Sequence, residues 1–233
     1  SHESRPFLGG TDSFVQLRDK VFKVKYMLDI KGLEGMDELV FDKKGGLKMG
    51  AAINMNRVIA STEAQQNYPV LVEAAREVGS YQLRTRATVV GNICNASPCG
   101  DTIAACMVYQ GTLHIIGPDG SREEHLEAFF HGPGQTTLKP GEIVKSLSMP
   151  VPPSGAKGKY LSIGRNKLGD LAIAAVTVLG YPDKTTDSGY SFRITLSSVA
   201  PTVIFAPKAQ KILAEETITP GVLAKAAQIA MQT

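Results

Sequence analysis

Three features of this 233-residue sequence predict an α+β fold. β-Prone runs bounded by Gly, Pro and Asp turns are distributed along the whole chain. Segments with apolar residues at helical spacing lie between them, and two such segments end the chain. The strands and helices do not follow the regular strand–helix–strand order of a doubly wound parallel sheet, which favours α+β over that architecture.

The first region extends to about residue 44 and combines short strands with turns. Arg5–Leu8 is a predicted strand, and the loop Gly9–Asp12 follows it. Ser13–Arg18 is predicted to be helical. Tyr26–Ile30 and Glu38–Asp42 are predicted strands, the second of which ends in a Lys-Lys-Gly-Gly turn.

The second region, residues 47–150, contains both element types. Asn54 or Asn56 is the predicted cap of a short helix that ends at Ile59. Pro69 suits the first turn of a further helix, and Thr88–Cys94 is β-prone, which favours a strand. The remaining predictions are a strand at Leu47–Ala52, a helix at Thr102–Tyr109, a strand at Thr112–Ile116 with a hairpin turn at residues 118–120, and a strand at Ile143–Met149.

The Pro- and Gly-rich segment Val151–Lys159 is the predicted linker between two domains. We therefore expect a domain over residues 1–153, with lobes at about residues 1–46 and 47–153, and a smaller domain over residues 154–233. The smaller domain is predicted to contain strands within Tyr160–Gly180 and Tyr190–Val199, with a helix between or beside them. Helices at Ala206–Glu215 and Thr219–Met231 complete it.

Composition excludes several classes of function. Hydrophobic residues make up 43% of the chain, which is enough for a core, and the formal net charge of +3 is too small to indicate nucleic-acid binding. The longest apolar run, Leu171–Tyr181, is too short to span a membrane, and the polar start Ser1–Pro6 does not resemble a signal peptide. These features predict a cytoplasmic protein without a membrane span.

Cysteine and histidine positions argue against a metal centre. Cys94, Cys99 and Cys106 form no Cys-x-x-Cys pair, so neither a disulfide framework nor a zinc site is expected. Small buried side chains are the favoured interpretation, since an iron–sulfur cluster normally needs a fourth thiolate. No catalytic or metal-binding residue is predicted. The histidines are scattered and show no ligand spacing: His2, His114, His125 and His131.

The first candidate binding motif is Leu8-Gly9-Gly10-Thr11-Asp12, directly after the first predicted strand. Its two glycines allow a sharp turn and let backbone N–H groups approach an anion closely, because no Cβ intervenes. Thr11 adds a hydroxyl donor. Such a loop suits a phosphate or pyrophosphate, although the same residue types also form ordinary tight turns.

The second candidate motif is Thr88–Thr102, which concentrates Gly, Asn, Ser, Pro and Asp residues before a predicted helix. Gly91-Asn92 suits a loop that exposes backbone amides, and the other Asn and Ser side chains offer short donors and acceptors. Asp101 has two interpretations. It is either the N-cap of the helix that follows or an acceptor for the hydroxyl groups of a ligand.

Together the two motifs resemble the FAD-binding loops of the flavin subunit of molybdenum hydroxylases. This family includes the middle subunits of xanthine dehydrogenase, carbon monoxide dehydrogenase, nicotinate dehydrogenase and 4-hydroxybenzoyl-CoA reductase. The resemblance continues through Pro140–Pro150, Arg165–Ala172 and Val199–Thr202, so it covers nearly the whole chain. In the second loop the matching residues are Thr88, Gly91, Asn92, Ala96, Ser97, Pro98 and Asp101.

The resemblance implies a fold, a cofactor and partners. The fold would be a two-lobed FAD-binding domain of the vanillyl-alcohol-oxidase (PCMH) type followed by a smaller α/β domain. The chain would pass electrons from iron–sulfur clusters to NAD+ or another acceptor, with an iron–sulfur subunit and a molybdenum-cofactor subunit as its partners. The residues implied to bind FAD are Phe7, Leu8, Gly9, Gly10, Thr11, Asp12, Ser13, Thr88, Val89, Gly91, Asn92, Asn95, Ser97, Asp101, Val144 and Ser162.

The chain departs from the family pattern at three points. Val90 replaces the first glycine of the second loop, and because a β-branched residue disfavours positive φ, either φ is negative there or the loop differs locally. Ser162 replaces a lysine that often reaches the cofactor, for which Lys167 is the candidate substitute. The chain begins almost at the first loop and stops at Thr233, so we expect segments of the family's fold to be missing at both ends.

Two other functions remain open from the sequence. A stand-alone flavin oxidase of the vanillyl-alcohol-oxidase fold often tethers FAD to a His or Cys, and no histidine lies in either loop. An assembly module that has lost FAD would not need the intact Gly9-Gly10-Thr11 and Asn92–Asp101 sets. No cysteine-bearing insertion lies between Asp42 and Leu47, so the extra iron–sulfur cluster of 4-hydroxybenzoyl-CoA reductase is not expected.

Overall fold

A computed structural model describes residues 3–166 and 169–233 and confirms the predicted α+β class. Short helices and small β-sheets are interspersed along the chain. In chain order the elements are β1 (Ser4–Phe7), α1 (Ser13–Arg18), β2 (Tyr26–Asp29), β3 (Leu39–Asp42), β4 (Gly46–Gly50), α2 (Met55–Ala60), α3 (Thr62–Asn67), α4 (Pro69–Glu77), α5 (Tyr81–Arg84), α6 (Val89–Asn95), α7 (Asp101–Val108), β5 (Thr112–Gly117), β6 (Gly120–His125), α8 (Leu126–Phe129), β7 (Phe130–Gly132), β8 (Gln135–Thr136), β9 (Ile143–Met149), β10 (Lys157–Ile163), β11 (Ala174–Pro182), β12 (Tyr190–Ser197), β13 (Ile204–Phe205), α9 (Pro207–Glu215) and α10 (Pro220–Ala230).

The N-terminal strands hold the first glycine loop in place. β1 and β2 form a two-stranded parallel sheet, and the loop between β1 and α1 leaves its end. The Lys31 ammonium donates to the backbone oxygen of Leu8 at 3.2 Å and pairs with Asp29 at 2.6 Å. The beginning of the loop is therefore tied to the end of β2.

A five-stranded antiparallel sheet in the order β3-β4-β9-β5-β6 carries the main core. Tyr68, which is fully buried between α3 and α4, fastens these helices to the sheet. Its hydroxyl accepts from the N–H of Leu47 at 3.0 Å and lies 3.1 Å from the oxygen of Met149 and 2.9 Å from that of Pro150. β3 pairs with β4. Although β3 falls in the predicted lobe at about residues 1–46, it therefore belongs to the sheet of the predicted lobe at about residues 47–153.

The C-terminal sheet, in the order β10-β11-β12-β13, is also antiparallel and lies between two helical layers. One face packs on α9 and α10 through a cluster that includes Ile194 and Leu213. The opposite face meets α7, where the Thr195 hydroxyl donates to the oxygen of Ala104 at 3.3 Å and Arg193 donates to that of Val108 at 3.1 Å. The sheet therefore lies against the helix that follows the second motif. The division at residues 153 and 154 remains a prediction.

The β-prone segment Thr88–Cys94 is a helix, so the expectation of a strand was wrong. Thr88 caps α6: its hydroxyl oxygen accepts from the N–H of Gly91 at 2.8 Å. The cap and the burial of Val89 and Val90 outweigh the β-propensity of the local sequence. Val90 has the negative φ of a helical residue, which resolves the departure from the family's glycine.

Other local predictions agree with the structure to within a few residues. Asn54 is the cap of α2, accepting from the N–H of Arg57 at 3.0 Å, and Pro69 opens α4. The predicted linker is shorter than expected, because β10 begins at Lys157 and pairs with β11. No helix lies between β10 and β11 in the residues that the structure describes there. Within the described ranges, no helix is long and apolar enough to cross a membrane.

Candidate functional site

A cavity of about 350 Å³ lies where the two predicted loops meet the start of β9. It is bordered by the β1–α1 loop, by α6 with the turn that follows it, and by the first residues of β9. The structure thus brings together two motifs that are far apart in the sequence. The predicted cofactor residues that line the cavity are Phe7, Leu8, Gly9, Gly10, Thr11, Asp12, Ser13, Thr88, Gly91, Asn92, Asn95, Ser97, Asp101 and Val144.

Two predicted residues do not line this cavity. Val89 is fully buried and packs into the main core. Ser162 lies exposed on β10, two residues after Tyr160. Lys167, the candidate substitute for the family's lysine, lies outside the described residues. The role of Ser162 in cofactor binding stays a prediction.

The glycines of the first loop are required by the packing of the loop itself. A Cβ placed on Gly9 would lie 2.0 Å from the carbonyl oxygen of Arg86, so the loop touches the backbone just before α6. Gly10 has a φ of +75°, and a Cβ there would lie 2.5 Å from the ring of Phe14. Both glycines are therefore needed for the folded conformation of the loop, and the access of a ligand to the loop depends on that conformation.

The backbone of this loop offers several free hydrogen-bond donors. The N–H groups of Gly9, Gly10, Thr11 and Asp12 donate to no acceptor in residues 3–166 or 169–233. Consecutive free amides beside a cavity form the kind of concave donor array that binds phosphate groups. The Thr11 hydroxyl, expected as a further donor to a ligand, lowers the pKa of the neighbouring Asp12 carboxyl, although burial raises that pKa by more.

The turn after α6 is fixed by backbone contacts on both sides. Ala96 has a φ of +49°, and its oxygen accepts from the N–H of Gly134 at 3.0 Å. The oxygen of Pro98 accepts from the N–H of Ser198 at 2.9 Å, which links the turn to the C-terminal sheet. Asn92 receives a 2.7 Å hydrogen bond from Thr102 on its side-chain oxygen, and its amide nitrogen has no acceptor in the described part of the chain. That nitrogen is available to a ligand.

Asp101 is not a helix cap, contrary to one of its two interpretations. The N-cap of α7 is Gly100, and Asp101 is the first helical residue. The Asp101 carboxylate accepts a short hydrogen bond from the Tyr160 hydroxyl. Desolvation raises the pKa of this carboxyl, and the hydrogen bond from Tyr160 partly opposes that rise. A carboxylate at the wall of a cavity remains suited to accept hydroxyl groups from a ligand.

A partly buried ion pair holds the start of β9 against the cavity. Arg122 on β6 donates to both carboxylate oxygens of Glu142 at 2.9 Å, and Lys139 donates its N–H to the same group at 2.8 Å. Glu142 and the following Ile143 and Val144 line the cavity. This ion pair was not predicted, because nothing in the local sequence pairs Arg122 with Glu142.

Replacing Glu142 by Gln is expected to flatten the acid dependence of stability. Hydrogen bonds from Arg122 lower the pKa of Glu142 from 4.5 to about 2, so the stabilising contribution is complete above the unfolded value and is lost as pH falls towards 2. The variant should be less stable than wild type at neutral pH and should approach it in acid. Chemical denaturation at several pH values measures this. A difference that is the same at every pH would contradict the expectation.

Several lining residues could not be assigned from sequence. Cys94 and Cys99 were expected to be small buried side chains, yet both reach the cavity. Their position in the second motif was the available signal, because Thr88–Thr102 already contained most of the predicted ligands. The other lining residues missed are Arg5, Pro6, Ile30, Met55, Val78, Gly79, Leu83, Ala87, Leu138, Glu142, Ile143, Gly169, Asp170 and Leu171.

The family of the chain follows from its match to known proteins. Residues 1–152 match the family described as the FAD binding domain in molybdopterin dehydrogenase. The chain belongs to this family. The predicted relationship to the flavin subunits of molybdenum hydroxylases is therefore confirmed.

Curated relatives are 23–29% identical to this chain over the residues that align with it. The xanthine dehydrogenase FAD-binding subunit of Escherichia coli O157:H7 is 29% identical over 151 residues, which are 65% of this chain and 52% of the relative. The carbon monoxide dehydrogenase medium chain of Afipia carboxidovorans is 27% identical over 233 residues, covering 98% of this chain and 78% of the relative. The chain thus spans about half the length of the E. coli subunit.

Solved structures show the same fold. Carbon monoxide dehydrogenase from Hydrogenophaga pseudoflava, in a form that lacks the Mo-pyranopterin moiety, has a TM-score of 0.93 at 25% identity, covering 100% of this chain and 79% of the other. Quinoline 2-oxidoreductase from Pseudomonas putida 86 has a TM-score of 0.91 at 20% identity, covering 100% of this chain and 79% of the other. The second likeness concerns the fold alone.

Proposed function

We propose that this chain binds FAD in the cavity between its two loops and serves as the flavin subunit of a multi-subunit molybdenum hydroxylase. The observation that carries the proposal is the row of free N–H groups from Gly9 to Asp12 at the wall of that cavity. Membership of the FAD-binding family supports the same ligand.

The residues of the cavity fit the chemistry of FAD. The loop amides suit the two negative charges of a pyrophosphate. Asp101 and the free amide of Asn92 suit hydroxyl groups and ring edges of a dinucleotide. Apolar lining residues such as Val78, Leu83 and Ile143 suit the faces of aromatic rings.

The protein's own contribution is binding, orientation and exclusion of water. FAD, when bound, accepts and donates electrons. The relatives are named as FAD-binding subunits and medium chains, which supports partners that carry iron–sulfur clusters and the molybdenum cofactor. In the complex we propose, electrons pass from the iron–sulfur subunit to this chain and on to NAD+ or another acceptor, while the organic substrate is oxidised at the molybdenum subunit.

Titration with FAD tests whether the chain binds the cofactor. Protection of Cys99 from a thiol reagent tests independently whether FAD lies in the cavity. Cys106 is fully buried, and desolvation raises the pKa of Cys94 to about 12, so a thiol reagent applied to the native protein should modify mainly Cys99. Saturating FAD should slow this modification, because Cys99 lines the cavity.

Mass spectrometry of the alkylated protein measures the protection, and unfolded protein, in which all the thiols react, is the control. Flavin fluorescence that does not change on titration, or Cys99 labelling that FAD leaves unaltered, would contradict the proposed site. Flavin that stays on the protein after acid precipitation would instead favour a stand-alone oxidase with tethered FAD.

A further inference from the structure

The contact between Asp101 and Tyr160 joins the wall of the cavity to the C-terminal sheet. Asp101 begins α7 and lines the cavity, whereas Tyr160 lies on β10. The Tyr160 hydroxyl donates to the Asp101 carboxylate across the contact between these two elements. The residues are separated by 59 positions in the sequence, so the contact depends on the packing of the sheet.

Tyr160 is held from several directions. Tyr160 is only 4% exposed, and its backbone N–H donates to a carboxylate oxygen of Glu73 on α4 at 3.1 Å. The neighbouring Lys159 pairs with the other oxygen of Glu73 at 2.9 Å. Tyr160 is therefore a fixed donor, with little freedom to follow a moving partner.

Asp101 has no comparable alternative partner. Apart from its own backbone N–H, Tyr160 is the donor to this carboxylate among the described residues. The charged group that acts on it from α4 is Glu77, which repels a second negative charge. No cation balances the carboxylate there in the described ranges. A desolvated carboxylate with a single neutral donor depends on that donor for both its orientation and its ionised form.

We propose that Tyr160 is a positioning residue of the FAD site: it holds one oxygen of Asp101, so that the other is presented to a hydroxyl group of the cofactor. This inference rests on the proposed function. It implies that the C-terminal sheet contributes to cofactor affinity without touching the cofactor through Tyr160, since the phenol acts through Asp101.

Substitution of Tyr160 by Phe tests the proposal, because it removes only the hydroxyl. FAD affinity at neutral pH should fall about tenfold, as expected for the loss of one hydrogen bond to a charged group. The affinity should also become more sensitive to acid. The Tyr160 hydrogen bond lowers the pKa of Asp101, so without it the carboxyl takes up a proton at higher pH than in wild type. Fluorescence titrations across a range of pH measure both effects.

Two further variants distinguish positioning from a general structural effect. In a chain that already carries Asp101→Ala, Tyr160→Phe should cause no additional loss of affinity, because the two residues act as one unit. Tyr109→Phe is the matched control: Tyr109 is also buried, and its hydroxyl accepts from the N–H of Val70 at 3.4 Å, but it does not line the cavity. This control should bind FAD as wild type does.

The outcomes separate the two claims. Wild type that does not bind FAD would overturn the proposed function. Wild type that binds, with Tyr160→Phe unchanged in affinity and pH profile, would overturn the positioning role, as would additive losses in the double variant. If Tyr160→Phe unfolds, Asp101→Asn keeps an acceptor for the phenol while removing the charge. Its affinity should then lie between those of wild type and Asp101→Ala, without acid sensitivity, and an acid-sensitive profile would overturn the inference.

Discussion

Replacing Gly9 by alanine is expected to abolish FAD binding and to lower the free energy of unfolding by about 2–4 kcal/mol. The added Cβ would lie 2.0 Å from the carbonyl oxygen and 2.6 Å from the carbonyl carbon of Arg86, both of which are backbone atoms. Neither atom can rotate away, so the loop must separate from the segment before α6. That separation displaces the free N–H groups proposed to bind the pyrophosphate.

Gly32→Ala is the matched control for this change. Gly32 follows β2 close to the same loop, and a Cβ there meets no atom within 4 Å. The control should retain both FAD affinity and stability. Thermal unfolding and FAD titration of the two variants measure the difference. A Gly9→Ala protein that binds FAD with wild-type affinity would show that the loop does not hold the cofactor.

Replacing Asp101 by alanine is expected to weaken FAD binding by about 1–3 kcal/mol, the range for a buried hydrogen-bonding group that is left without its partner. Stability without FAD should change much less. Burial raises the pKa of this carboxyl, so its removal relieves an unfavourable desolvation, while it leaves the Tyr160 hydroxyl without its acceptor.

Isothermal titration with FAD and denaturant unfolding of the apo-protein separate the two effects for Asp101→Ala. A large loss of stability with unaltered FAD affinity would assign Asp101 a purely structural role. In that case the hydroxyl-binding role proposed for it would have to be abandoned.

The sequence located the two loops because their signals are local. Gly9-Gly10 and the Asn, Ser and Pro residues near Asp101 have backbone and side-chain preferences that act within a few positions. Helix α6 was missed for the opposite reason. Its β-branched residues favour a strand, and the local Thr88 cap alone does not outweigh that preference. The burial of Val89 and Val90, which depends on tertiary packing, adds to the cap and decides for the helix.

Long-range contacts were beyond the reach of sequence patterns. The pairing of Arg122 with Glu142 and of Asp101 with Tyr160 depends on which strands and helices become neighbours. The same limit explains the Asp101 prediction. Position alone allowed a helix cap, and only the approach of β10 shows what the carboxylate contacts.

The backbone at Gly9 lies directly against the carbonyl of Arg86. The β1–α1 loop and the segment before α6, which border the cavity on two sides, are therefore held at a fixed distance from each other. This distance is set by contact between backbone atoms and not by side chains. The exposed Arg86 side chain is therefore free to vary without altering the width of the site. Families built in this way can change surface charge beside a cofactor, and hence the partner or acceptor they attract, while the cofactor cradle keeps its dimensions.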